Sequence, residues 1–159
     1  MMSAAALDTN LLVLLIVGSA SRAYISRHSR LDKYTEDDFD LLVEPVGSFS
    51  DIIVLPHIWT EADYLVRSGG LRHPATQQVL DKMQMLITST TEFSIPSAVG
   101  AARLEFNHSG LAGSVLLHLS AMEGHNIPVT LITADRGLAN AAAAQGYAFI
   151  DYSSEFRHG

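Results

Sequence analysis

Short apolar segments separated by stretches of helix length are the strongest constraint this chain places on its fold. Residues 4–7 (AAAL), 51–55 (DIIVL), 129–133 (VTLIT) and 147–151 (YAFID) read as strands, and 93–95 as a short edge strand before Pro96. Helices are expected between them. The alternation predicts an α/β fold, a mostly parallel sheet flanked by helices on both faces and joined by right-handed crossovers. With 159 residues and no linker or repeat, the chain reads as one domain over residues 1–159.

Local chemistry marks the helix ends. Asp8-Thr9-Asn10 is a capping triplet between the first strand and a helix that carries residues 11–17 (LLVLLIV) and stops at Gly18. Thr35 caps the next helix, and Glu36, Asp37 and Asp38 load its first turn with favourable negative charge. Residues 57–67 form a helix ending at Gly69-Gly70. Pro74 starts another, with Val79, Leu80, Met83, Leu86 and Ile87 along one face. Residues 97–106, 110–122 and 136–145 complete the helical set.

The net charge is −7 and there are no cysteines. An acidic chain holds nucleic acid only through local patches or metal ions. The absence of thiols excludes disulfides, thiolate metal sites and cysteine catalysis, and suits a reducing compartment. The longest apolar run, residues 11–17, is far short of the roughly 20 residues a membrane span needs. A signal peptide carries basic residues before its apolar run, but here the first, Arg22, follows it. A soluble, cytoplasmic protein without membrane contact is the expectation.

Ligand sites in parallel sheets form beyond the carboxyl ends of the strands. Asp8 follows the first strand, Glu61 lies in the first turns of the helix after the second, and Asp135 stands two residues past Thr133. Carboxylate oxygens are the hard ligands that Mg²⁺ and Mn²⁺ prefer, and such ions run phosphodiester cleavage. Two carboxylates about 4 Å apart repel by roughly 1–4 kcal/mol, which a divalent cation relieves. A plainer reading stands beside this one. Asp8 and Asp135 each precede a helix and serve as N-caps, while Glu61 is an exposed helix glutamate. Cap and ligand are compatible, since one oxygen can cap while the other faces a metal.

Three segments carry a resemblance. Leu7-Asp8-Thr9-Asn10-Leu11-Leu12 resembles the opening of PIN domains, where an aspartate ends the first strand within a D-T-N triplet. Residues 55–61 (LPHIWTE) look like the P-H-x-x-T-E segment of one PIN subgroup. Residues 133–138 (TADRGL), followed by Gly146 and Tyr147, are similar to the closing T-x-D-x-x-L…G segment. The motifs come in the family's order between Leu7 and Ile150. The resemblance implies a five-stranded parallel sheet of order 3-2-1-4-5, a Mg²⁺ or Mn²⁺ site, and cleavage of RNA. Asp8, Glu61 and Asp135 would be its acidic residues, supported by Thr9, Asn10 and Thr133. Many relatives are toxins of bacterial toxin–antitoxin pairs and often dimerise, so an antitoxin and a second copy are implied partners.

One motif departs from the family. The helix expected from Gly110 usually opens G-L-T-D-A, but here it reads Gly110-Leu111-Ala112-Gly113-Ser114. Gly113 occupies the aspartate's position, and Ser114 is the nearest residue able to support a ligand through water. Two further readings follow: a non-catalytic PIN fold that binds nucleic acid or protein, and a phosphatase-like fold with Asp8 as nucleophile. The second would want another aspartate where Asn10 stands. His57 and Glu61 share i, i+4 spacing, but the seven histidines form no zinc pattern. Arg22, Arg27, His28, Arg30 and Lys33 make a basic stretch that suits either a phosphate backbone or a solvated helix face.

Overall fold

β1 (Ala4–Leu7) runs through the middle of the sheet, pairing in parallel with β2 (Asp51–Val54) on one side and β4 (Val129–Thr133) on the other. β3 (Thr91–Glu92) extends the sheet beyond β2, and β5 (Phe149–Asp151) extends it beyond β4. The order is therefore 3-2-1-4-5 with all strands parallel, the order that the resemblance implies. The computed structural model describes residues 3–92, 94–102, 115–116, 119 and 128–152. Among these, no helix is long and apolar enough to cross a membrane.

Every residue of β1 is fully buried, because both of its edges are paired and both faces are covered. An uninterrupted apolar strand is what such a position requires. α1 (Thr9–Ala20) follows directly and is apolar on all sides, the signature of a helix enclosed by others. It packs against α2 (Glu36–Gly47), α3 (Pro56–Arg67) and α4 (Ala75–Ser89). α5 (Ser97–Ala101) is short, and α6 (Arg136–Ala144) crosses from β4 to β5. Val115, Leu116 and Leu119 are helical and buried in the core; the rest of the helix expected over 110–122 lies outside the described residues.

Several boundaries differ from those expected. The edge strand is Thr91–Glu92, and Ser94 and Ile95 are not in a strand. Pairing to Ile53 and Val54 sets its position, a signal no local pattern carries. β5 begins at Phe149, because the preceding residues close α6: Gly146 has a positive φ of 74° and Tyr147 N–H donates to Ala142 O at 3.0 Å. The basic stretch is not one helix face. It forms two short 3₁₀ turns, Arg22–Arg27 and Ser29–Leu31. The capping box at Thr35 is complete, Asp38 N–H donating to Thr35 Oγ1 at 3.2 Å and Thr35 N–H to Asp38 Oδ2 at 2.8 Å.

α1 also runs on past Gly18 to Ala20. Gly18 is not a stop; it is the point where the Phe39 ring of α2 comes closest. A Cβ there would sit 2.3 Å from Phe39 Cδ2. Gly18→Ala should therefore destabilise the protein by about 1–3 kcal/mol, although alanine is the better helix former. Phe39→Leu in the same background should recover part of the loss. Urea unfolding of the parent and the two variants checks this, and a Gly18→Ala protein as stable as the parent would refute the close-packing account.

Candidate metal centre at the carboxyl edge of the sheet

Asp8 leaves β1 at its carboxyl end, where the chain turns from extended backbone into α1. Its Oδ1 accepts the Leu11 N–H at 3.3 Å, which makes it the N-cap of α1. Its Oδ2 turns toward β4 and accepts the Ala134 N–H at 3.3 Å and the Thr133 hydroxyl. One carboxylate thus caps a helix and ties two neighbouring strands together.

Thr133 is fully buried at the last position of β4. Its hydroxyl donates to Asp8 and accepts the Asp135 N–H at 3.0 Å. Asp135 repeats the arrangement of Asp8. It is the N-cap of α6, with Oδ1 accepting from Gly137 N–H at 2.9 Å and Leu138 N–H at 3.3 Å. The capping role expected of both aspartates is thus real, and Thr133 couples them.

Glu61 reaches the same edge from α3. Its Oε2 accepts the Thr9 hydroxyl at 3.0 Å, so the residue after Asp8 holds the third carboxylate. Asn10 is exposed in the first turn of α1. Gly113 and Ser114 lie outside the described residues. Among those described, no three His, Asp or Glu side chains converge as a ready-made metal-holding group. Asp8 and Asp135 stand within electrostatic reach of each other, with Glu61 joined to the edge through Thr9.

Burial pushes the Asp8 carboxyl up from 3.8 to about 6, against the pull of its three hydrogen bonds, and the Asp135 charge adds to the rise. Tyr34 joins this environment. Its phenol is pushed up to about 12, first by burial and then by the charges of Asp8 and Asp38. Sequence reasoning gave Tyr34 no role, because its only local mark is the place before the Thr35 cap. The Ala134 N–H escaped it too, since a backbone donor leaves no trace in residue type.

The raised Asp8 carboxyl has a stability consequence. Between pH 4 and 7 the folded protein holds a proton on Asp8 that the unfolded chain releases, so rising pH removes stability. The full shift corresponds to about 3 kcal/mol, and screening of the half-buried side chain reduces this to about 1–2 kcal/mol. With chelator present, the wild type should lose that amount relative to Asp8→Asn as pH rises from 4 to 7. A stability difference that stays flat across this range in parallel urea titrations would rule out burial as the cause.

The chain matches no protein-family model and none of the curated proteins with which it was compared.

Proposed function

We propose that this chain is a PIN-type, metal-dependent endoribonuclease that cleaves single-stranded RNA at the acidic edge formed by Asp8, Asp135 and Glu61. The observation that carries the reading is the single hydroxyl of Thr133, which joins the Asp8 carboxylate to the Asp135 backbone at the carboxyl end of a parallel sheet. Ligand sites belong at that edge.

The donor set fits Mg²⁺ or Mn²⁺. All three side chains offer hard carboxylate oxygens, and the chain has no thiolate that would favour a softer ion. Asp8 and Asp135 would hold the ion, with Glu61 beside it. When bound, it would supply charge neutralisation at the scissile phosphate and a more acidic water. The protein's own groups do the rest. Thr133 fixes the rotamer of Asp8, and the amino ends of α1 and α6 favour negative charge on the two aspartates. Thr9 engages Glu61 Oε2 and leaves Oε1 to accept a proton from the attacking water. The toxin-like resemblance extends the proposal to an antitoxin partner and a homodimer.

The glycine at position 113, where PIN domains carry an aspartate, favours a second reading, a binding module without catalysis. Cleavage separates the two. Purified protein with Mn²⁺ should cut single-stranded RNA and leave a simple phosphomonoester intact, Asp8→Asn should lower cleavage by about 100-fold or more, and Mn²⁺ should raise the melting temperature of the wild type alone. RNA binding without cleavage by the wild type would select the binding module, and turnover of the monoester would overturn both.

The glycine also supplies its own test. Gly113→Asp should tighten Mn²⁺ binding and raise cleavage, because another carboxylate extends the oxygen set. Gly113→Ala should leave metal affinity unchanged. Equal Mn²⁺ affinity in the two variants, read by calorimetry, would show that position 113 does not serve this edge.

A further inference from the structure

The basic stretch finds only part of its use in the fold. Arg22 is spent on Asp40, at 2.7 Å, and Glu36, at 3.5 Å. Arg30 lies over the Tyr64 ring and donates to Ser68 Oγ at 3.1 Å. His28 is buried, with Nε2 3.1 Å from Val66 O and Nδ1 accepting the Arg30 N–H at 3.3 Å. Arg27 is different. Its guanidinium lies 5.9 Å from the Tyr24 ring centroid, and it has no acidic partner among the described residues.

Arg27 lines a cleft of about 380 Å³ together with Arg72. Arg72 also lacks an acidic partner among the described residues, and no acidic residue lines the cleft. In a chain of net charge −7, two cations that share one cleft with no acidic residue are an unbalanced local charge. The first turn of α4 forms part of the same wall through Ala75. It has no side-chain cap and no acidic residue to offset its positive end. Leu71 and Pro74 give the cleft an apolar flank, and its volume falls in the range of about 300–1,000 Å³ typical of small-molecule sites.

The walls are also held in place. Ser29 N–H donates to Gly69 O at 2.8 Å, and Tyr24 hydroxyl donates to Gln78 of α4. His28 lies against Gly69 so closely that a Cβ there would come within 1.9 Å of its Nε2. These contacts join the Arg22–Arg27 turn and the residues after it to the α3–α4 connection and to α4, and so hold the backbone segments that carry Arg27 and Arg72 in place.

We propose that this cleft binds the phosphate group of a nucleotide, with Arg27 and Arg72 gripping the phosphate and the Leu71–Pro74 flank carrying the nucleoside. Guanidinium groups match phosphate oxygens in charge and in hydrogen-bond geometry. The site is separate from the acidic edge and does not depend on a metal there.

Calorimetry on the full chain in chelator, with adenosine monophosphate and adenosine as probes, tests this. The monophosphate should bind at least about tenfold more tightly than the nucleoside. Arg27→Gln and Arg72→Gln should each weaken it by about fivefold or more, the pair should abolish it, and Asp8→Asn should leave it unchanged. Both arginines are exposed, so circular dichroism should show the variants folded. Equal binding of the two probes, or undiminished binding by the double variant, would overturn the proposal. Loss of RNA cleavage alone would not touch it. An RNA oligonucleotide that binds better with a 5′-phosphate than with a 5′-hydroxyl would assign the site to strand ends; monophosphate binding without that preference would assign it to free nucleotide. Either pattern supports the cleft.

Discussion

β1 is the constraint on which the other elements depend. It is four residues long and has no exposed atom to spare, so its neighbours must complete its hydrogen bonds on both sides and cover both of its faces. The parallel registers with β2 and β4 then bring three strand ends to one edge. Asp8 N–H makes the last backbone bond to β4, donating to Ile132 O at 3.2 Å. Its carboxylate takes over, bonding backward to β4 and forward to the first turn of α1.

That arrangement explains how an acidic chain tolerates carboxylates close together. Asp8 and Asp135 each sit at the amino end of a helix, so two positive dipole ends meet at the same edge. Each carboxylate meets its capping duty through Oδ1. In Asp8 the other oxygen is held by Thr133 and Ala134, and burial still outweighs these bonds, leaving a carboxyl that resists ionisation. Stability and charge are therefore opposed at this one residue.

Much of the fold was legible because its signals are local. Residues 51–54 are β-branched and end before a proline; Thr35 and its three following acids announce α2; the apolar run after Asp8 announces a buried helix. The capping roles of Asp8 and Asp135 were legible because each stands between a strand and a helix. What stayed hidden is what depends on residues far apart. β3 takes its place from β2 rather than from its own two polar residues, and His28 folds the basic stretch into turns by burying itself beneath Gly69. Tyr34 acquires its place near Asp8 only once α1 and α2 have packed, which no spacing in the sequence encodes.

The position of β1 at the centre of the sheet sets an order of events during synthesis. Ala4 pairs with Val129, so the strand made first among the described elements waits for a partner 125 positions downstream. At about 5–20 residues per second, that wait lasts roughly 6–25 s. β2 is made 47 positions after β1 and can pair with one of its edges, but until β4 follows the other edge of Ala4–Leu7 stays open and the apolar run of α1 is incompletely covered. A sheet built this way is completed late, and the most protected segment of the finished protein is the one left longest with an unpaired edge on the ribosome.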